Sequence, residues 1–446
     1  MPNLPQELLN SLVLLDHFDE KAFVDVHNKE NKITSIRLNP FKKVELDFKL
    51  NQPVPWNING FYINNRPSFT LDPLFHAGCY YVQEAGSMFL ELALIQTLNF
   101  SENLKILDLC AAPGGKSTLI NSLLNNDSLI VANELIKSRA KILAQNLSKW
   151  GACNSIVTNN DPHKFSEIPS FFDAIVIDAP CSGSGLFRKK PDAINEWSQN
   201  NVNTCFHRQK QIILDVLPSL VENGIIFYST CSYSVNENED IVAWMIKNHQ
   251  MEYVSIKIEK EWGIVDTGLG YRFYPHLTKS EGFFCAVLRK KTEKHSVSQL
   301  KKKNNFDASK LNIELLKPYL NPLNNQFILK INNQYHLTNF LVASFLSNFE
   351  KHLYFKKAGI VIGEIKGKDL VPNHELAWSI NANLLINSIE LDYLNSLKYL
   401  KKESFENDNN KKGLTLLRYK NYGLGWAKIL QNRTNNYLPN DLKILK

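Results

Sequence analysis

Two cysteines are set apart from the other five by their surroundings. Cys181 lies in Asp178-Ala179-Pro180-Cys181-Ser182-Gly183-Ser184-Gly185, and Cys231 in Tyr228-Ser229-Thr230-Cys231-Ser232-Tyr233. Each follows a β-rich run and each is followed by a serine, which predicts two strand ends on one sheet edge facing a shared cleft. A single cysteine in such a place behaves as a small buried hydrophobe. Two in matching settings point to nucleophilic chemistry. The residues alone leave open which of the two attacks.

The run Leu107-Asp108-Leu109-Cys110-Ala111-Ala112-Pro113-Gly114-Gly115-Lys116-Ser117-Thr118 reads as a strand, a glycine turn and a helix. That order lets a ligand approach the backbone and meet the positive end of the helix. Gly115-Lys116-Ser117 supplies the second half of a P-loop, but the first glycine of that pattern falls on Cys110, and Pro113 has no N–H to offer a phosphate. The dinucleotide fingerprint Gly-x-Gly-x-x-Gly is absent as well. What remains is an adenosyl group with a carboxylate tail, S-adenosylmethionine. Glu134, nineteen positions after Gly115, ends the next strand and suits the ribose hydroxyls; Asp161 ends the third and suits the adenine amino group. Singly these acids are ordinary strand-end residues, but three strand ends on one carboxyl edge make a site.

A methyl donor gives the thiols a purpose. C5 of a cytosine is a poor nucleophile, and a thiolate adding to C6 pushes electron density onto it. An acid near N3 stabilises the developing charge. A base must then take the C5 proton so that the thiol can leave. A free thiol has a pKa of about 8.5 and is only slightly ionised near neutrality, so a cation is needed beside it. Lys116, Arg188, Lys189 and Lys190 are the candidates.

The elements that must position these groups follow from the alternation of short β-rich runs with amphipathic stretches between Leu104 and Lys290, which predicts β/α units around a mostly parallel sheet. Strands are expected at Leu104–Cys110, Leu129–Asn133, Ser155–Thr158, Ala174–Asp178, Ile225–Ser229 and Phe283–Leu288. Helical spacing covers Ser117–Leu124, Ser138–Trp150, Asn201–Leu220 and Asn236–Asn248, with Gly224 expected as a helix C-cap. The first 70 residues form an α/β appendage with a strand at Ser35–Asn39. Residues 71–290 are the core. Residues 291–312, with Lys291, Lys294, Lys301, Lys302, Lys303 and Lys310 against Glu293 and Asp307, are a basic linker. Residues 313–446 form a small β-rich unit with strands at Gln326–Leu329, Gly359–Lys366 and Leu414–Tyr419.

Composition narrows the class without naming it. The 446 residues are 44% hydrophobic and 21% charged, an ordinary globular balance that predicts more than one domain. The start of the chain lacks the basic and apolar runs of a signal peptide, and no stretch reaches the roughly 18 apolar residues of a membrane span. A cytoplasmic location is expected. Seven cysteines without a Cys-x-x-Cys pair argue against zinc and against a disulfide framework. The formal charge of +7 permits a polyanionic partner without requiring one.

With these pieces assembled, the chain resembles the Fmu/Sun-type RNA cytosine-5 methyltransferases, most closely the bacterial ribosomal RNA small subunit methyltransferase F group. The resemblance runs through Ser35-Ile36-Arg37-Leu38-Asn39-Pro40, Val54-Pro55-Trp56 and Phe75-His76-Ala77-Gly78-Cys79-Tyr80-Tyr81-Val82-Gln83-Glu84-Ala85-Gly86-Ser87-Met88. It continues through the glycine loop, Asp178–Gly183, Phe187-Arg188-Lys189-Lys190-Pro191-Asp192, Thr230-Cys231-Ser232, Arg272-Phe273-Tyr274-Pro275-His276 and Glu281-Gly282-Phe283-Phe284. It implies a Rossmann-like S-adenosylmethionine methyltransferase core with a small N-terminal α/β domain and a C-terminal β-rich PUA-like domain. That last module is carried by Gly359–Gly363, Val371–Ala377, Gly423–Lys428 and Asn435–Pro439. Modules of this kind position structured RNA mainly through phosphate and shape contacts, and the plainer alternative for Trp426 and Tyr437 within it is that they are simply core.

The resemblance also assigns roles. Cys231 is the implied nucleophile and Cys181 the group that helps release the product as a base. Cys110, Ala111, Ala112, Pro113, Gly114, Gly115, Lys116, Glu134, Asp161 and Asp178 are implied to bind the cofactor, with Asp178 also facing the cytosine ring. Lys189 and Lys190 are implied to contact the RNA. The implied partner is small-subunit ribosomal RNA or a 30S particle, with no membrane and no metal, and a monomer is expected. Transfer RNA methylation is the neighbouring reading, and a non-catalytic RNA-binding assembly factor the one from another class; a purely binding protein has no need of the paired thiols.

Overall fold

Five apolar runs, all but one pair separated by α-helices, assemble into one sheet because every run must bury both of its faces. The computed structural model describes residues 4–29, 33–291, 313–321, 324–383, 386–405, 411–431 and 433–445; the expected linker, apart from Lys291, lies outside them. Strands β1 (Thr34–Leu38), β2 (Gly60–Ile63) and β3 (Tyr80–Val82) form an antiparallel sheet in the order β2-β1-β3. The core strands are β4 (Lys105–Asp108), β5 (Leu129–Asn133), β6 (Ser155–Thr158), β7 (Phe172–Asp178) and β8 (Leu220–Thr230), all parallel, joined by antiparallel β9 (Met251–Tyr253), β10 (Val265–Asp266), β11 (Tyr271–Phe273) and β12 (Phe283–Lys290). Side chains alternate across this sheet with period two. Leu107, Val131, Ile175, Ile177 and Ile226 pack on one face. Ile106, Ile130, Ala174, Val176, Ile225 and Phe227 pack on the other.

The strand order is β10-β11-β12-β8-β7-β4-β5-β6. From β4 the chain winds outward through β5 and β6, then returns to β7 on the other side. The reversal opens a crevice at the carboxyl ends of β4 and β7, where ligands bind in sheets of this kind.

The C-terminal part holds β13 (Gln326–Ile331), β14 (Gln334–Asn339), β15 (Phe355–Ala358), β16 (Ile360–Lys366), β17 (Asp369–Pro372), β18 (Ser388–Glu390), β19 (Gly413–Tyr419), β20 (Tyr422–Ile429) and β21 (Thr434–Asn436). They form two four-stranded sheets, β13-β14-β16-β17 and β18-β19-β20-β21, while β15 leaves them to pair antiparallel with β6 at the edge of the core sheet. Trp426 is buried and Tyr437 is exposed at 43%, so the plainer core alternative holds for the tryptophan alone.

Three expectations differ from the structure. The boundary at residue 313 does not separate two independent units. The helix Phe340–Phe349 buries Val342, Phe345 and Phe349 in the core cluster, each worth about 1.5–3 kcal/mol, with the Phe345 ring 5.3 Å from that of Phe171. The boundary at residue 70 falls inside the N-terminal unit, because β3 completes its sheet and Tyr80 shares a core with Ile36, Leu417 and Leu424. Gly224 is no helix C-cap. The helix Gln199–Val216 stops short of Pro218, and Gly224 sits within β8 after Asn223 at φ +61°, where the β7–β8 register shifts.

Candidate active site

At the crevice β4 ends in Asp108, and Leu109 to Gly114 turn the chain into the helix Gly115–Leu123. Gly114 stands at φ +113°, a conformation that only glycine adopts freely, and a Cβ there would meet the Leu143 side chain at 3.2 Å. Asn133, at the tip of β5, fastens the turn by donating to the Leu109 and Asn160 carbonyls at 3.3 and 3.0 Å.

Between this turn and the segment Tyr81–Ser87 lies a cavity of about 180 Å³. Of the expected cofactor residues, Cys110, Ala111, Ala112, Pro113, Gly115, Lys116 and Asp178 line it. Gly114, Glu134 and Asp161 are not among its walls. Glu134 is buried, accepts from the Ile136 N–H at 2.9 Å and faces Arg139 at 3.6 Å. Asp161 is exposed and caps a short turn through the His163 N–H at 3.0 Å.

Asp108 is the most telling wall. Its Oδ2 accepts from Ser117 at 2.6 Å, while the buried Oδ1 has no partner. Burial pushes its pKa up to about 7, with Ser117 and the Lys116 charge opposing. An ammonium group in the cavity is what that oxygen lacks, and the first-turn N–H groups of the helix suit a carboxylate. The walls therefore fit the amino-acid end of S-adenosylmethionine.

The thiol side begins where β7 and β8 run in register, Asp178 beside Ser229. Cys181 and Cys231 leave these two strand ends and meet, Sγ to Sγ, at 3.1 Å. The Lys116 ammonium, 2.9 Å from Asp178 Oδ2, spans the two halves, and Ser229 donates to Asp178 Oδ1 at 2.8 Å. Burial pulls the Lys116 pKa down, but Asp178, Asp108 and the Cys231 sulfur outweigh it and the net shift is upward. Of the four candidate cations, Lys116 is the one whose own upward shift includes the Cys231 sulfur among its causes. Arg188 faces Glu281 at 3.5 Å, and Lys189 and Lys190 sit on the turn after Leu186, the latter exposed to solvent.

The two cysteine loops are zipped together. Gly185 N–H donates to the Cys231 carbonyl at 2.8 Å, and Tyr233 N–H to Ser184 Oγ at 2.9 Å. A Cβ on Gly185 would strike the Gly282 carbonyl at 2.4 Å, so glycine is required at this crossing. The Cys181 thiol is pushed well above its usual pKa by its hydrogen bond with Cys231, then by burial and by the Glu237 charge.

Comparison with known proteins decides the class. The chain matches the 16S rRNA methyltransferase RsmB/F family over residues 95–289, the N-terminal domain of 16S rRNA methyltransferase RsmF over 4–85 and the methyltransferase RsmF PUA domain over 386–444. The ribosomal RNA small subunit methyltransferase F of Shewanella piezotolerans is 30% identical, covering 99% of this chain and 98% of that one. The chain belongs to the ribosomal RNA small subunit methyltransferase F family. The Vibrio cholerae member is 31% identical over 92% of this chain and 90% of its own. The structure of NSun6 from Pyrococcus horikoshii with SFG shares the fold, with a TM-score of 0.55 at 21% identity over 65% of this chain and 99% of that one. As a family member the protein is an S-adenosylmethionine-dependent RNA methyltransferase with a Rossmann-like core and a C-terminal PUA domain. No helix among the described residues is long and apolar enough to cross a membrane.

Several residues at this methyltransferase site are missing from the candidates drawn from the sequence. Asp108 was open to detection, as an acid closing an apolar strand. Gln83 and Glu84 line the cavity from the N-terminal unit. Arg37, wholly buried, donates to Gln83 at 2.9 Å, Thr118 at 2.6 Å and the Gly115 carbonyl at 3.2 Å, bracing the cofactor helix from outside. Glu237 lies buried beneath both cysteine loops.

Proposed function

We propose that the protein transfers a methyl group from S-adenosylmethionine to C5 of a cytosine in structured RNA, 16S ribosomal RNA, through a covalent bond between Cys231 and C6. The observation that carries this reading is the meeting of two thiols at 3.1 Å beside the Lys116–Asp178 pair. The names of the relatives support the ribosomal substrate, and the SFG bound to the NSun6 structure supports the cofactor.

In this mechanism Asp108, the loop Cys110–Lys116, Glu134 and Asp161 hold the cofactor, whose sulfonium methyl is the electrophile. Lys116 stabilises the Cys231 thiolate, and the sulfur adds to C6. Electron density moves onto C5 and towards N3, where Asp178 faces the ring. C5 then takes the methyl group. Cys181 gives its own proton to solvent once Cys231 is bonded to C6; the C5 proton then passes to the Cys181 thiolate, the electrons of that C–H bond re-form the C5–C6 double bond, and the S–C6 bond breaks to return the Cys231 thiolate. The chief cause of the raised Cys181 pKa is its hydrogen bond with Cys231. Bonding of Cys231 to C6 removes that partner, so Cys181 becomes easier to ionise at the stage that needs a base. Lys189 and Lys190 face the RNA at the mouth of the crevice. The base must leave its stack to enter, which favours a loop or junction.

The test uses Cys231→Ser, expected to lose methyl transfer by on the order of 10⁴-fold or more while still binding S-adenosylhomocysteine. Near-wild-type turnover by that variant sinks the mechanism. Sequencing the RNA trapped on Cys181→Ala from total cellular RNA identifies the substrate, and a transfer RNA site keeps the mechanism but changes the target.

A further inference from the structure

We propose that Glu237 is a positioning residue that holds Cys181 against Cys231 and thereby governs release of the methylated product. The inference rests on the assignment of the two thiols above. Glu237 is fully buried and lies six positions after Cys231, on the turn Val235–Glu237. Its Oε1 accepts from the Ser182 N–H at 2.7 Å and from Gln209 Nε2 at 3.3 Å. Its Oε2 accepts from both Ser182 Oγ and Ser232 Oγ at 2.5 Å. Ser182 and Ser232 are the residues that follow Cys181 and Cys231. One carboxylate thus joins the two thiol loops at the same place in each.

The two loops do not depend on it equally. The Cys231 loop has other ties: Asn238 bridges Thr230 Oγ1 and the Ser232 carbonyl at 2.6 and 2.8 Å, and Arg272, paired with Glu239, donates to the Tyr233 carbonyl at 2.7 Å. The Cys181 loop is tied to its neighbour further along, at Ser184 and Gly185, but the ties at Pro180 and Ser182, the residues on either side of Cys181, converge on Glu237. Ser182 gives it both its N–H and its hydroxyl, and Gln209, which donates to the Pro180 carbonyl at 3.0 Å, donates to it as well. Loss of the carboxylate therefore loosens Cys181 more than Cys231. Attack on C6 survives better than removal of the C5 proton, and the covalent complex outlives its normal turnover. Burial raises the Glu237 pKa, with Ser182, Ser232 and Gln209 holding the rise back, so its ionised form depends on these same straps.

The test uses the full-length enzyme, S-adenosylmethionine and total cellular RNA. Glu237→Gln keeps the size of the side chain but replaces an oxygen that accepts hydrogen bonds with an NH₂ that cannot. We expect an unchanged melting temperature and cofactor affinity, kcat lower by about 10²-fold with KM for RNA little changed, and an RNA–protein adduct that survives denaturing electrophoresis. A general loss of fold lowers turnover without building up adduct. A folded Glu237→Gln without adduct overturns the inference, whether or not it turns over. Should that variant fail to fold, Ser182→Ala removes the hydroxyl strap alone. It is expected to give the same adduct in smaller amount, and wild-type behaviour would overturn the inference equally. Cys181→Ala run in parallel separates the two levels. No adduct from Cys181→Ala while the wild type turns over removes the thiol assignment itself. Adduct from Cys181→Ala but none from Glu237→Gln removes only the role of Glu237.

Discussion

The cofactor side of the crevice is built chiefly on one continuous run, Leu107–Thr118, closed by Tyr81–Ser87 and Asp178, whereas the thiol side is gathered from stretches as far apart as Cys181 and Gly282. On the first, the ligand-facing surface is largely backbone: a glycine turn, a helix start and small side chains. On the second, side chains carry the geometry, with Glu237, Asn238, Arg272 and Ser184 each fixing a loop that has no regular structure of its own. A backbone-built site is encoded locally and tolerates distant change. A site built from side-chain bonds depends on residues that look ordinary in the sequence, and it fails when any one of them is lost.

Lys116 tests the comparison most severely, since it belongs to the cofactor loop yet reaches across to the thiols. Lys116→Met keeps the stem of the side chain and removes the charge beside Asp178. We expect kcat to fall by about 10²–10³-fold, the range for removing one preorganised electrostatic group, with only a small change in cofactor affinity. Alkylation of Cys231 by iodoacetamide at neutral pH should slow in parallel, because the cation that the proposed mechanism sets beside its thiolate is gone. A variant that loses cofactor binding but keeps a reactive Cys231 would place Lys116 wholly on the cofactor side.

Arg37 asks whether the cofactor side is as self-sufficient as its continuity implies. This buried guanidinium belongs to β1, stacks on Trp150 at 4.5 Å and donates to four acceptors, Gln83 and, on the cofactor helix, Gly115, Thr118 and Ser122. Burial lowers its pKa to about 10, still high enough to keep it charged near neutrality. Arg37→Ala leaves those acceptors unpaired and opens a void, so we expect a loss of about 2–3 kcal/mol in urea unfolding. Arg37→Lys should recover only part of it, because an ammonium cannot reproduce the fork. A fully stable alanine variant would show that the helix needs no external brace.

The same contrast explains what the sequence made legible. The parallel strands and the glycine turn follow from periodicity and local chemistry, and the observed ends of β5 and β6 coincide with those expected from the apolar runs alone. The thiols could be placed at two strand ends because each is tied to its strand by a few residues. Glu237 could not, since its meaning lies in contacts with Ser182, some 55 positions earlier. Nor could the reach of the C-terminal part into the core be read. The helix Phe340–Phe349 looks like any apolar helix until Phe345 is found against Phe171.

Asp108 gives the mildest test, and it probes a place where the cofactor side relies on a buried side chain. Its pKa of about 7 in the folded protein lies above its ordinary value of 3.8, so between these values the unfolded chain ionises while the folded one keeps its proton. Its effect on stability is therefore a penalty, absent below 3.8, growing as pH rises and complete above about 7. Without ligand, Asp108→Asn should melt higher than the wild type above neutrality and no higher at acid pH. Ligand binding has the opposite dependence on the proton. An ammonium on Oδ1 needs the ionised carboxylate, so affinity for S-adenosylhomocysteine should fall by up to about tenfold per pH unit below neutrality, and Asp108→Asn should flatten that slope. Calorimetric titration of the wild type between about pH 5 and about pH 8 reads it directly. A flat profile in the wild type would mean that the orphaned oxygen meets no cation, and that the cofactor side recognises its ligand through backbone alone.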